Sequence, residues 1–334
     1  MTGAIIVGSG SYLPERVLTN NDLEKMVDTS DEWITTRTGI RSRRIAGPGE
    51  ETSTMAATAA RQALDMAGLA AEDVDLIIVG TITPEKAMPS CACLVQEKIG
   101  AVNATAFDVN AACSGFLFGL DVADKYIKAD PGKKILVIGA ETLSARVNWQ
   151  DRNTCILFGD GAGACVVTGG APGSGIVDSR LYSDGRLWNL LYLDSMPRRV
   201  CPVVPPAVHA AAETFNGEGS AIQMQGRDVF KYAVRAMAQA VTELLAGAGV
   251  AIEEISIMIP HQANIRILKS LAERLGVPFE KMYVIVQKYG NTSAASVPIT
   301  IDEANRAGRM QRGDMILFCV FGGGFTWGTT LMRW

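Results

Sequence analysis

The stretch that most limits what this chain can fold into is Ala104-Thr-Ala-Phe-Asp-Val-Asn-Ala-Ala-Cys113-Ser-Gly-Phe-Leu-Phe-Gly-Leu120. Thr105 to Val109 reads as a short buried strand. After a few small residues, Phe116, Leu117, Leu120, Ala123 and Ile127 recur on one side of a helix. Cys113 falls at the seam, where strand turns into helix. Unsatisfied N–H groups and the macrodipole at a helix N-terminus favour an anion by roughly 0.3–1 kcal/mol. A thiol of pKa about 8.5 is thereby drawn toward the reactive thiolate. A lone cysteine also reads as an inert core residue, and the rest of the chain has to decide between the two.

The same strand–turn–helix step recurs. Val74 to Val79 is a continuous apolar strand, as in a parallel sheet covered on both faces, and Lys134 to Ile138 is another. Residues 1–13 give a strand with a Gly8-Ser-Gly10 turn. Pro14 and the lack of a third glycine remove a dinucleotide fingerprint there. Cys155–Phe158 and Cys165–Thr168 read as strands joined by a structural turn, Gly159 to Ala164. Thr19, and the stretch Thr29-Ser30-Asp31-Glu32, cap two short helices, and Thr52 to Ala67 is amphipathic. The Gly-rich run Gly169–Gly175 is the best boundary, dividing the chain into residues 1–172 and 173–334. The second part repeats the architecture of the first: a helix from Val229 to Leu245, then strands at Ile255–Ile259, Met282–Val286, Met315–Phe321 and Thr326–Met332.

A length of 334 residues suits two such units. A net charge of −4 gives no nucleic-acid footprint. No signal peptide opens the chain and no apolar run approaches the ~18 residues of a membrane span, so a cytoplasmic protein is expected. The seven cysteines are an odd number, and Cys155, Cys165 and Cys319 sit inside apolar runs, which favours reduced thiols over a disulfide framework. Cys91 and Cys93 lie two apart on a helix and point to different faces, so they are no metal pair. His209 stands without acidic or cysteine company and reads as a surface histidine.

Three strand ends offer a thiol (Cys113), an imidazole (His261) and a carboxamide (Asn291), placed where open α/β sheets hold their sites. Together they indicate a cysteine nucleophile with polar helpers, and a Cys-His-Asn hydrolase remains open on these residues alone. Around Trp33, the basic cluster from Arg37 to Arg44 suits a nucleotide or phosphate, through stacking and charge-assisted forks, or is an ordinary solvated face.

Six motifs taken together resemble one family. They are Asp31-Glu-Trp33-Ile-Thr-Thr-Arg37-Thr-Gly-Ile40, Asn110-Ala-Ala-Cys113-Ser-Gly115, Phe158-Gly-Asp-Gly-Ala-Gly163, Pro260-His-Gln-Ala-Asn-Ile-Arg266-Ile, Gly290-Asn-Thr-Ser-Ala-Ala-Ser-Val-Pro298 and Phe321-Gly-Gly-Gly-Phe-Thr-Trp327-Gly. In this order they are similar to β-ketoacyl-acyl-carrier-protein synthase III, the condensing enzyme that starts fatty-acid synthesis. The resemblance implies the α/β thiolase fold, two similar halves in a five-layer αβαβα arrangement, and a homodimer.

It also implies roles. Cys113 takes an acyl group from acyl-CoA, with the N–H groups of Cys113 and Gly324 as oxyanion hole. His261 and Asn291 stabilise the enolate formed as malonyl-acyl-carrier protein loses CO₂, and Phe321 walls the carboxylate. Trp33, Arg37 and Arg152 hold CoA, and Lys231 and Arg266 face the carrier protein, with Glu273 a departure on the same helix. Met88 stands where an aromatic commonly closes the partner's acyl pocket. No metal or redox cofactor is implied. The segment from about 184 to 228, longer than usual, reads as a surface insertion. Competing readings are a ketosynthase of specialised metabolism using an unusual acyl-CoA or malonyl-CoA, and a non-catalytic acyl-binding paralogue. A degradative thiolase would need a second cysteine, and Cys319 lies inside a strand.

Overall fold

The computed structural model describes residues 3–194 and 221–334. His209 and much of the 184–228 segment lie outside the described residues.

Two sheets share one plan. In the first, β1 (Ala4–Tyr12), β4 (Leu76–Gly80), β5 (Thr105–Val109), β6 (Ile135–Glu141) and β7 (Gly161–Gly169) lie in the order β1-β7-β6-β4-β5. In the second, β8 (Gly175–Ser183), β11 (Ile257–Pro260), β12 (Met315–Gly322) and β13 (Thr326–Arg333) lie in the order β8-β13-β12-β11, and Met282 bridges Met258 at the open edge. Two small antiparallel pairs lie apart, β2 (Val17–Thr19) with β3 (Ser42–Arg44) and β9 (Leu191–Tyr192) with β10 (Gln223–Met224). In both sheets the pairs toward one end are antiparallel (β1-β7-β6 and β8-β13-β12) and those toward the other end are parallel (β6-β4-β5 and β12-β11).

Helices fill three layers around the sheets. Gly115–Ala129 and Ser296–Arg306 lie between them and touch strands of both. On the first helix Phe116, Leu117, Leu120, Ala123 and Ile127 are all buried, as the spacing predicts. Each large apolar side chain buried in this way contributes roughly 1.5–3 kcal/mol. Thr52–Ala67 and Cys91–Ile99 cover the outer face of the first sheet, and Gly226–Ala248 covers that of the second. The result is the αβαβα layering of the thiolase fold.

Some local expectations are corrected. Gly8 and Gly10 form no turn but lie within β1, where a Cβ on Gly8 would strike the Ala63 carbonyl and one on Gly10 the Ala59 carbonyl of the covering helix. Most of Gly159–Ala164 is likewise strand: Gly163 lies in β7, and its Cβ would stand 2.5 Å from the Ile299 nitrogen of the inner helix. These glycines serve close packing. Cys155 to Leu157 are turns, with only Phe158 bridging to Asn291. Met282–Val286 makes a single bridge because the Gln262 side chain takes its N–H groups: Oε1 accepts from Ile285 at 2.9 Å and Val286 at 3.2 Å.

Candidate active site

Cys113 sits in a single 3-10 turn, Ala112–Ser114, that runs straight into the inner helix Gly115–Ala129. The turn is entered through Ala112 at φ 45, a strained conformation for a residue with a Cβ. Cross-links hold it: Ser114 Oγ donates to the Thr326 carbonyl at 3.1 Å, and Thr326 Oγ1 donates to the Ala111 carbonyl at 2.8 Å. A Cβ on Gly322 would stand 2.7 Å from the Cys113 nitrogen, so only glycine lets the end of β12 lie against that amide.

A cavity of about 750 Å³ opens over this turn, and Cys113, His261, Asn291, Phe321 and Gly324 all line it. Phe321 packs on Phe325 with ring centroids 4.7 Å apart. The thiol does not behave as the helix N-terminus alone would have it. Burial pushes Cys113 up to about 12, with the Glu141 carboxylate adding to the rise. Desolvation of the thiolate exceeds the dipole's gain.

His261 follows β11, its N–H bonded to the Cys319 carbonyl at 2.8 Å. Nδ1 lies 2.7 Å from Ser296 Oγ, which also accepts from the Gln262 N–H at 3.4 Å. Among the described residues the Ser296 hydroxyl has no other acceptor for its hydrogen, so it donates to Nδ1, and the ring hydrogen resides on Nε2. Burial lowers the imidazole to about 4, so it is neutral at physiological pH. Asn291 is fixed on the backbone by its N–H to the Leu157 carbonyl at 2.8 Å and by the Gly159 N–H to its own carbonyl at 3.0 Å. Its Oδ1 accepts from the Ser293 N–H at 2.8 Å, which leaves the side-chain NH₂ to donate. The Phe158-Gly159 segment therefore carries Asn291.

Sequence reasoning missed Glu141, Ser293 and Ser296. The two serines stand within the Gly290–Pro298 motif, and their spacing of two and five residues from Asn291 was the available signal. Glu141 ends an apolar strand with no motif around it.

Other predicted residues lie outside the cavity lining. Trp33 has the Arg37 guanidinium 4.7 Å and the Arg152 guanidinium 5.0 Å from its ring, and Arg152 also donates to the Asp28 carbonyl at 3.0 Å. The helix Asp31–Thr38, which carries Trp33 and Arg37, packs on Ile265–Leu275, whose Ile267 lines the cavity. Arg266 lies 5.6 Å over the ring of Phe230, another lining residue. The Lys231 side chain is 61% exposed and 3.8 Å from Asp228. Met88 is 86% exposed and does not itself line the cavity, although the adjacent Ala87 does. Among the described residues no His, Cys, Asp and Glu group has a metal-binding arrangement, and no helix is long and apolar enough to cross a membrane.

A doubled α/β plan with a thiol, an imidazole and a carboxamide meeting on one cavity defines a condensing enzyme of the thiolase fold. Comparison with known proteins agrees. The model of the 3-oxoacyl-[acyl-carrier-protein] synthase III family matches residues 107–185, and that of its C-terminal part matches residues 245–334. β-Ketoacyl-[acyl-carrier-protein] synthase III of Desulfotalea psychrophila is 54% identical over 330 residues, covering 99% of each chain. That of Aquifex aeolicus is 52% identical, covering 99% of this chain and 100% of its own. The crystal structure of the Aquifex aeolicus protein superposes with a TM-score of 0.90 at 51% identity over 100% of each chain. The chain belongs to the 3-oxoacyl-[acyl-carrier-protein] synthase III family.

Proposed function

We infer that this protein is the initiating condensing enzyme of type II fatty-acid synthesis: an acyl group passes from acyl-CoA to Cys113, and decarboxylative condensation with malonyl-acyl-carrier protein gives 3-oxoacyl-acyl-carrier protein, CoA and CO₂. The observation that carries it is the meeting of Cys113, His261 and Asn291 on one cavity. The relatives above half identity bear the name of the initiating enzyme, which sets aside the specialised-metabolism reading.

The geometry supports each role. The amide of Cys113, against the Gly322–Gly324 turn, and that of Gly324 form the oxyanion hole. His261 Nε2–H and the Asn291 NH₂ are neutral donors for the thioester oxygen, where charge grows as CO₂ leaves. A neutral imidazole holds its Nε2 proton too tightly to give it to the enolate carbon, so it donates a hydrogen bond only. With Nδ1 engaged by Ser296, a hydrolase pairing of His261 with Cys113 is disfavoured. Phe321 presents an apolar wall to the malonyl carboxylate, favouring loss of its charge. Decarboxylation supplies the driving force, so no resident cofactor is required.

Trp33, Arg37 and Arg152 offer an aromatic face and two guanidiniums to the nucleotide of CoA. Lys231 and Arg266 offer charge to an acidic carrier protein. The exposure of Met88 fits a homodimer in which it enters the partner's pocket. Division of the chain at residue 172 is supported by the matching strand orders, and a cytoplasmic location belongs to the same reading.

Intact-protein mass spectrometry after mixing with acyl-CoAs, from acetyl to medium and branched chains, tests this. Wild type gains one acyl group, malonyl-carrier protein discharges it with CO₂ release, and Cys113→Ser gains none. His261→Ala and Asn291→Ala still acylate but decarboxylate roughly 10²–10³-fold more slowly, the worth of one oxyanion donor. Absence of acylation with every donor overturns the reading.

A further inference from the structure

Ser293 is 1% exposed and lines the cavity, yet its hydroxyl has no hydrogen-bond partner. A buried hydroxyl left without a partner is costly, so its place calls for a use. Its turn, Ser293–Ala295, packs against both the Ala112–Ser114 turn that carries Cys113 and β6, which Glu141 ends, and its proximity favours the ionised form of each of these two groups. It completes a settled bond to neither. The backbone holds it there, at φ 49, through its N–H to Asn291 Oδ1 at 2.8 Å.

Glu141 is fully buried and built to accept. Oε2 receives the Thr81 hydroxyl at 3.2 Å, the Thr83 hydroxyl at 2.5 Å and the Ile82 N–H at 3.2 Å. Both threonine hydroxyls also accept, from the N–H groups of Thr83 at 3.1 Å and Thr142 at 2.8 Å, while their hydrogens go to the carboxylate. Oε1 receives only the Ile82 N–H, at 3.3 Å, and keeps acceptor capacity. Nothing in the reaction above uses this carboxylate. Nor does His261 serve Cys113 as base, with Nδ1 engaged by Ser296 and Nε2 protonated.

We propose that Glu141 accepts the Cys113 proton during acyl transfer, through the hydroxyl of Ser293. This rests on the acyl-transfer reading above. As the sulfur electron pair attacks the acyl-CoA carbonyl carbon, the S–H proton passes to Ser293 Oγ and the serine's own hydrogen passes to Glu141. The new S–C bond forms and the C–S bond to CoA breaks. Glu141 returns its proton through Ser293 to the departing sulfur, leaving S-acyl-Cys113 and CoA thiol with no net change in charge. Burial pushes Glu141 up to about 7, which suits a base working near neutral pH. The titratable groups that feel it are the Cys113 thiol and the Cys91 thiol of the outer helix, both raised; the hydroxyls of Thr81, Thr83 and Ser293 also face it.

The test is the rate of Cys113 acylation by acetyl-CoA, or by the fastest primer of the panel, read by quenched-flow mass spectrometry from pH 6 to 9. In wild type the rate climbs to a plateau just above pH 7. Glu141→Gln keeps the shape but turns an NH₂ toward Ser293, and Ser293→Ala removes the bridge while keeping the N–H that holds Asn291. Each slows acylation about 10²-fold at pH 7. Without the relay the rate rises about tenfold per pH unit and shows no plateau, and the double variant is no slower than either single one. Ser293→Gly, which suits φ 49, repeats the result if the alanine folds poorly. Variants that retain the plateau, or slow by one constant factor across the range, overturn the relay and leave acyl transfer standing. A wild type that takes no acyl group overturns both.

Discussion

The turn Ala112–Ser114 in the first half of the molecule and the turn Ser293–Ala295 in the second are the same device used twice. Each is a single 3-10 turn entered through a residue at positive φ, 45 at Ala112 and 49 at Ser293, and each runs directly into an inner helix. An asparagine stands two residues before each entry, Asn110 and Asn291. Position by position the contents then part. Cys113 is matched by Ala294, and Gly115 by Ser296. Gly115 keeps bare backbone against Gly80, where an added Cβ would stand 3.1 Å from the Gly80 Cα, whereas Ser296 fills the matching place with the hydroxyl that holds His261. One turn therefore delivers a nucleophile, and its counterpart delivers the polar groups that work on the second substrate. A strained, small-residue turn running into an inner helix is the shared mount, and the side chain placed on it sets the chemistry.

The largest effect comes from moving the thiol between the two mounts. Cys113→Ser is expected to lower condensation by more than about 10³-fold, in line with loss of a nucleophile. Adding Ala294→Cys to that variant restores nothing. Ala294 is 1% exposed beneath Gly115 and does not line the cavity, so its thiol meets no acyl-CoA. Mass spectrometry of the double variant checks this, and an acyl group found on residue 294 would show the turns to be interchangeable.

A smaller effect sharpens the role of the second mount. Ser296→Ala frees Nδ1 of His261 and removes the acceptor of the Gln262 N–H. Loss of one buried hydrogen bond of this kind costs roughly 1–3 kcal/mol. Condensation is expected to fall about tenfold through a mixed population of tautomers, while acylation of Cys113 proceeds at the wild-type rate. Ser296→Thr, which retains the hydroxyl, recovers most of the loss. Steady-state condensation measured beside single-turnover acylation separates the two steps, and an equal fall in both would assign Ser296 a purely structural role.

What the sequence disclosed follows the same division. Cys113, His261 and Asn291 stand out because reactive residue types at strand ends are legible one at a time. The inner helix Gly115–Ala129 shows its buried face as plain periodicity. The glycines of β1 and β7 were misread because a turn and a close helix contact select the same residue, and only the opposing backbone tells them apart. The missing strand at Met282–Val286 depends on the Gln262 side chain, from another segment, taking the N–H groups that a ladder would use. The high pKa of Cys113 depends on enclosure and on Glu141, neither of which a local stretch reveals. Glu141, Ser293 and Ser296 have meaning only once the two halves are packed together.

The smallest effect is a pair of opposed pH dependences, one from each half. Burial holds His261 at about 4 against an ordinary 6.5, so between those values the unfolded chain binds a proton that the native protein refuses. Its stabilising contribution is complete above pH 6.5 and is lost as pH falls toward 4. Burial raises Glu141 from 4.5 to about 7, so there the native protein holds the extra proton. Its contribution is complete below pH 4.5 and is lost as pH rises through 7. One proton of difference is worth about 1.4 kcal/mol per pH unit. The two slopes therefore nearly cancel between pH 4.5 and 6.5. Urea unfolding across that window checks the balance as a difference from wild type, which removes the contribution of every other group. Glu141→Gln is expected to gain stability with rising pH relative to wild type, and His261→Gln to lose it, each by about 1 kcal/mol per unit. If both variants track the wild-type curve in parallel, the two groups do not titrate in the native protein as their burial requires.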